Sequence, residues 1–151
     1  MIEFLGALQD SDLAQMLRQS RWVYPIVNAA HILGIALLIG AVIPMDLRLI
    51  GALNVPDLSQ VVAFLRPFAI AGLCLAVAAG IALFLVQARD YVVLRLFWIK
   101  ISLIALAAMN ALWHLRRPVN QHSRRSNIVA GVISLLLWPA VLLCGRLIAY
   151  Q

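Results

Sequence analysis

Charge is scarce in this sequence. Only 12% of its 151 residues are Asp, Glu, Lys or Arg, about half the share usual in a soluble domain. That shortage excludes a water-facing globule, because a small fold has too much surface to cover with so few charges. Acids are the rarest: Glu3, Asp10, Asp12, Asp46, Asp57 and Asp90 are all there are, and each falls outside an apolar run or at its end. A proton relay through paired intramembrane carboxylates therefore has no support. Cysteine is limited to Cys74 and Cys144, each inside an apolar run, with no Cys-x-x-Cys pair. Zinc and dithiol chemistry lack their ligands, and the two thiols read as small buried hydrophobes. No Gly-rich phosphate loop is present either. Lysine is almost missing: Lys100 stands alone against eleven arginines.

What the chain does have is apolar surface, with 64% hydrophobic residues and a mean hydropathy of +0.97. Lipid must be the solvent for most of it. The apolar runs far exceed the length of a barrel strand, so helices are the only open choice. The fold class expected is all-α, an integral membrane four-helix bundle forming a single membrane domain over 1–151. Spans are predicted at about 22–45, 58–87, 92–115 and 127–150, each long enough for a hydrocarbon core of roughly 30 Å. Trp22 and Tyr24 suit the interface at the start of the first span. Asn54-Val55-Pro56-Asp57 is a turn-like cluster before the second. Pro139 is expected to kink the fourth. Residues 1–20 read as a short interfacial helix, with Asp12 as N-cap, Gln15 three residues on, and Leu13, Met16 and Leu17 on one face. With Glu3, Asp10 and Asp12 in it, this segment does not read as a cleavable signal.

The net charge of +6 reads as topology and anionic-lipid contact, not nucleic-acid binding. Arg116, Arg117, Arg124 and Arg125 between the third and fourth spans should be cytoplasmic. Both termini would then face the periplasm of a bacterial inner membrane. Arg18 and Arg21 pull against this assignment.

Polar groups inside spans are functional candidates by default. His31, Lys100, Asn110 and His114 are the four that need an account. His31 lies nine residues after Trp22 and Lys100 eight after Val92, roughly 13 and 12 Å along their helices. They are level on different spans. Lys100, Leu103, Ala107, Asn110 and His114 follow a 3,4,3,4 spacing, as do His31, Gly34, Leu38, Ala41, Met45 and Arg48, so each set forms one seam. Gly34, one turn from His31, leaves room for a flat ligand or a close helix. A buried Lys can become a neutral nitrogen ligand, as an Arg cannot, and neutral imidazole is another. Two such nitrogens could hold a haem iron from opposite sides. His31 bonded to Asn28 or a carbonyl, and Lys100 snorkelling to the interface, are the structural alternatives. Arg95 and Arg146 lie toward the outer side, where a propionate would find charge-assisted partners. Asn110 reads as interhelical glue and His114 as an interfacial histidine. Asp46 and Arg48 end the first span and could pair locally.

The stretches WVYPIVNAAHILGIALLIGAVIPMDLRLIG and FWIKISLIALAAMNALWHLRR resemble a bacterial four-span family known by a domain-of-unknown-function label. At greater distance they look like the haem-binding membrane protoporphyrinogen oxidases and the copper-resistance D membrane proteins. The matching positions are His31, Gly40, Arg48 and Lys100, and the likeness covers spans one to three. It implies haem b binding by His31 and Lys100. Where the oxidases are aromatic-rich after the first-span His, this chain has Ile-Ala-Leu-Leu-Ile, and porphyrinogen oxidation is not implied.

The leading expectation is a small b-type cytochrome. It would bind haem b in the outer half of the bundle, with His31 and Lys100 as axial ligands. It would work as an electron-transfer subunit or oxidoreductase between a periplasmic donor and quinone or another membrane subunit. A cofactor-free accessory subunit of a membrane complex or homo-oligomer is the alternative, with Gly72, Ala79 and Gly80 serving helix packing. Copper transport is suggested only by the copper-resistance likeness, since Met16, Met45 and Met109 form no ligand ladder.

Overall fold

The structure, a computed structural model, describes residues 12–54, 57–115 and 121–150. It is all-α. Among the described residues six helices follow one another: α1 (Asp12–Gln19), α2 (Val23–Leu49), α3 (Leu58–Val86), α4 (Ala88–Val93), α5 (Arg95–Leu115) and α6 (Arg124–Ile148). Four of them, α2, α3, α5 and α6, are long and apolar enough to cross a membrane. Among the described residues there is no strand.

The helix ends have local causes. α2 runs past the expected end near residue 45 and carries Pro44 inside it. Gly51, at φ 84, stops it. Gly51 N–H reaches the Arg48 carbonyl and Ala52 N–H reaches that of Leu47, at 3.2 and 2.9 Å. This pair of bonds with a left-handed glycine is the Schellman stop. Asp57 starts α3 by accepting from the Ser59 N–H at 2.9 Å. Ser123 starts α6 three residues before the expected 127, accepting from the Ser126 N–H at 3.2 Å. The third span begins at Arg95, not near 92, because Leu94 is extended (φ −80, ψ 121) and ends the separate short helix α4.

Packing is uneven. α2 packs along α3, α5 along α6, and α2 more lightly on α6. No comparable seam joins α5 to α2 or α3. The α2–α3 seam is close because small residues face each other. A Cβ on Gly34 would lie 2.5 Å from the Ala76 nitrogen, and one on Gly72 2.5 Å from the Leu38 nitrogen. Leu38, Ala41, Val42, Ala69, Ala107 and Trp138 form the buried core. Large apolar side chains such as Ile32, Phe64, Ile81, Leu106 and Leu136 stand exposed around the outside, as a lipid-facing surface requires.

α1 differs from expectation. Its buried face is Ala14 and Leu17, while Met16 is exposed. The helix packs this face on α3 and α2. The rest of the expected interfacial segment, residues 1–11, lies outside the described residues.

Candidate functional site

The missing seam leaves a cleft between α3 and α5. We call the end of the bundle carrying α4 the upper end, and the end where α2 meets α3 the lower end. At the upper end the cleft is closed by stacked rings. Phe84 of α3 and Phe97 of α5 lie 5.3 Å apart and nearly parallel, at 12°. Tyr91 of α4 joins both, at 6.3 and 5.9 Å. Burial holds the Tyr91 phenol above its ordinary range, with Tyr24 and Asp90 adding to this, so it stays a neutral ring in the stack.

One turn below these rings sit the two nitrogen-bearing side chains. Residues three or four apart share a helix face. Gly80 follows Phe84 downward on α3, and Lys100 follows Phe97 downward on α5. Because the two phenyl rings touch, Gly80 and Lys100 are level across the cleft. His31 of α2 lies against Gly80, its Cε1 3.0 Å from where a Cβ would stand. Its Nδ1 donates to the Ala76 carbonyl at 2.7 Å. That bond fixes the tautomer in which Nε2 carries the lone pair. Lys100 lies against Gly145 of α6, with Nζ 3.4 Å from the corresponding Cβ position. It is within electrostatic reach of His31 and of the Cys144 thiol.

The sequence expectations meet this geometry unevenly. His31 and Lys100 are brought to one level. Gly34 serves as the close-helix contact: its missing Cβ is the space taken by α3, so it offers no room to a flat ligand beside His31. Arg146 donates to the Tyr150 hydroxyl at 2.8 Å and stacks over its ring. Arg95 is exposed at the first position of α5. Neither arginine is placed against His31 or Lys100. Gly80 and Gly145, the seats of the two nitrogens, carry the site with them. Isolated glycines inside a helical pattern were the available signal, since each costs about 1 kcal/mol against alanine and marks a close approach.

Below the pair the cleft widens into a cavity of about 430 Å³. Leu38, Val42, Leu73, Ala108 and Trp138 form its walls, with Ile70 and Leu112 at the lips. Its lower end is polar, with Asp46, Arg66, Asn110, His114 and Ser134. Asp46 is only 5% exposed. It lies in the last turn of α2, near the span end as expected, but buried, with Ser134 of α6 as its hydrogen-bond partner. Its Oδ2 has no partner among the described residues. His114 lies at the last turn of α5. It stacks on His122 at 4.6 Å, its ring nitrogens are buried, and the Asn110 and Ser126 backbone lies against the ring. Asn110 donates to the Ala130 carbonyl at 3.1 Å, the interhelical bond expected of it.

Among the described residues no three His, Cys, Asp or Glu side chains converge on one point. A bare metal ion thus has no cage there built of these side chains. His31 Nε2 and the Lys100 amine are the two nitrogens at the upper end that would hold a haem iron. Set against known protein families, curated proteins and solved structures, the chain matches none.

Proposed function

We propose that this chain is a membrane b-type haem protein whose iron is held between His31 of α2 and Lys100 of α5. The observation that carries the reading is the fixed His31 ring. With Nδ1–H bonded to the Ala76 carbonyl, Nε2 is left as a ligand atom, and the backbone bond both orients the ring and raises its basicity. Lys100 is the only lysine and is the one base in the chain able to act as a neutral amine ligand. It sits level with His31, above the cavity between α3 and α5. The resemblance of spans one to three to haem-binding membrane oxidases points to the same two residues.

When bound, the haem would supply one-electron redox chemistry. The protein's own part is to hold two nitrogens, exclude water with the Phe84, Tyr91 and Phe97 rings, and surround the group with apolar wall. Burial and axial ligation are the levers that set its potential. Electron transfer, in a bacterial inner membrane and with partners still to be identified, is the function this arrangement serves best.

Visible spectra of protein purified in mild detergent from haem-supplied cells test the reading. Wild type should show a Soret band and, after dithionite, a sharp α band. His31→Ala should lose both, and Lys100→Ala should lose or shift them. A featureless wild-type spectrum overturns the proposal.

A further inference from the structure

The haem reading uses the upper cleft and leaves the lower cavity without a role. That cavity has the make-up of a small-molecule site: apolar walls, a volume of about 430 Å³, and a few polar groups gathered at one end. Pockets for small ligands run from roughly 300 to 1,000 Å³ with this same division of labour. Its lips, Ile70 and Leu112, are 47% and 57% exposed on helices that face lipid. A ligand would thus enter from the bilayer and not from water.

The polar end is unfinished. Asp46 is more than nine-tenths buried, yet Oδ2 has no partner among the described residues. His114 lies at the same polar end. Buried polar groups are nearly always hydrogen-bonded, and leaving one unmade costs about 1–3 kcal/mol. A bound head group carrying a donor would answer Oδ2. Charge narrows the class. Asp46 and Arg66 both line the polar end, and a neutral head group bearing oxygens can meet a carboxyl and a guanidinium together.

We propose that the lower cavity is a binding site for an isoprenoid quinone or its quinol. The neutral ring sits at the polar end, a quinol hydroxyl donating to Asp46 Oδ2 and a ring oxygen toward Arg66 and His114. The tail leaves between Ile70 and Leu112 into the bilayer. The site stands on α2, α3, α5 and α6 residues of the lower half and does not depend on haem being bound above.

The test is equilibrium binding of short-tailed ubiquinone and menaquinone analogues to the purified full-length protein, measured by gel filtration and chromatographic assay of the quinone retained. This readout is independent of any haem spectrum, so failure of one reading is distinguishable from failure of the other. Wild type should saturate at one quinone per chain. Ala108→Phe, which fills the cavity, should abolish retention. His114→Gln and Asp46→Asn should each weaken binding by about tenfold, the worth of one hydrogen bond to a charged or buried group. Elution volume and melting temperature identify variants that fold. Should Asp46→Asn fail to fold, Ala108→Phe and His114→Gln carry the test. Non-saturating retention, equal retention by folded Ala108→Phe, or stronger competition by oleate or diacylglycerol than by the unlabelled quinone would each overturn the proposal.

Discussion

Gly34 of α2 and Gly72 of α3 interlock. A Cβ on Gly34 would stand 2.9 Å from the Gly72 carbonyl oxygen, and one on Gly72 2.7 Å from that of Gly34. In lipid there is no hydrophobic drive between helices, so close backbone approach through small residues is what joins them. The atoms in the way are main chain and cannot swing aside.

Gly72→Ala should therefore weaken the α2–α3 pair by about 1–3 kcal/mol, the usual cost of overpacking, and Gly34→Ala by a similar amount. Gly40→Ala is the control, because nothing lies within 4 Å of its Cβ position. It should be neutral or stabilise by up to about 1 kcal/mol through helix propensity. Melting in detergent, followed by circular dichroism, ranks the three. Equal losses in all would show that the interlock is not what holds α2 to α3.

The second prediction concerns the seats of the two nitrogens. A methyl at Gly80 would meet His31 Cε1 at 3.0 Å, and one at Gly145 would meet Lys100 Nζ at 3.4 Å. The first is tight and the second is ordinary contact. Gly80→Ala should push the imidazole off the Ala76 carbonyl and lower haem occupancy or shift the α band. Gly145→Ala should leave the spectrum close to wild type, since a lysine stem adjusts. The order of the two effects is the check, and a larger change from Gly145→Ala would contradict the geometry.

The four spans were legible because hydropathy over 20 or more residues leaves no other solvent than lipid. The level of His31 and Lys100 was legible from counting residues at a fixed rise. Other features were not. Whether α3 touches α5 depends on which side chains are small across two helices far apart in sequence, and no single helix carries that information. Asp46 looked like a span end because a charge beside Arg48 usually is one. Its burial follows from α2 continuing through Pro44 to the Gly51 stop, and from Ser134 arriving on α6 to bond it. The break at Leu94 is a one-residue backbone event in an otherwise apolar stretch, and periodicity passes over it.

Asp57 gives a pH prediction. Its carboxylate accepts from the Ser59 N–H at 2.9 Å and from the Ser59 hydroxyl at 2.8 Å. These two bonds, chiefly the hydroxyl one, hold it below the ordinary carboxylate range. A carboxyl depressed in the folded state contributes stability that is complete above its unfolded pKa, about 3.9, and fades as pH falls through the lower folded value. The melting temperature of wild type minus that of Asp57→Ala should be positive and flat near neutrality. It should shrink below about pH 4. A difference that grows on acidification would show the cap assignment to be wrong.

Asn110 separates glue from ligand. It donates to the Ala130 carbonyl across the α5–α6 seam at 3.1 Å, and it also lines the cavity. Interhelical hydrogen bonds in membranes average about 0.6 kcal/mol, so Asn110→Leu should lower stability only slightly. Lys100 lies ten residues away on α5, about 15 Å along the axis, and the visible spectrum should not change. Quinone retention should change modestly, because the polar end keeps Asp46 and His114. A large loss of stability would instead make the Asn110–Ala130 bond a main fastening of α5, the long helix with the smallest buried share. Unfolding in detergent and the quinone assay on the same preparation distinguish these outcomes.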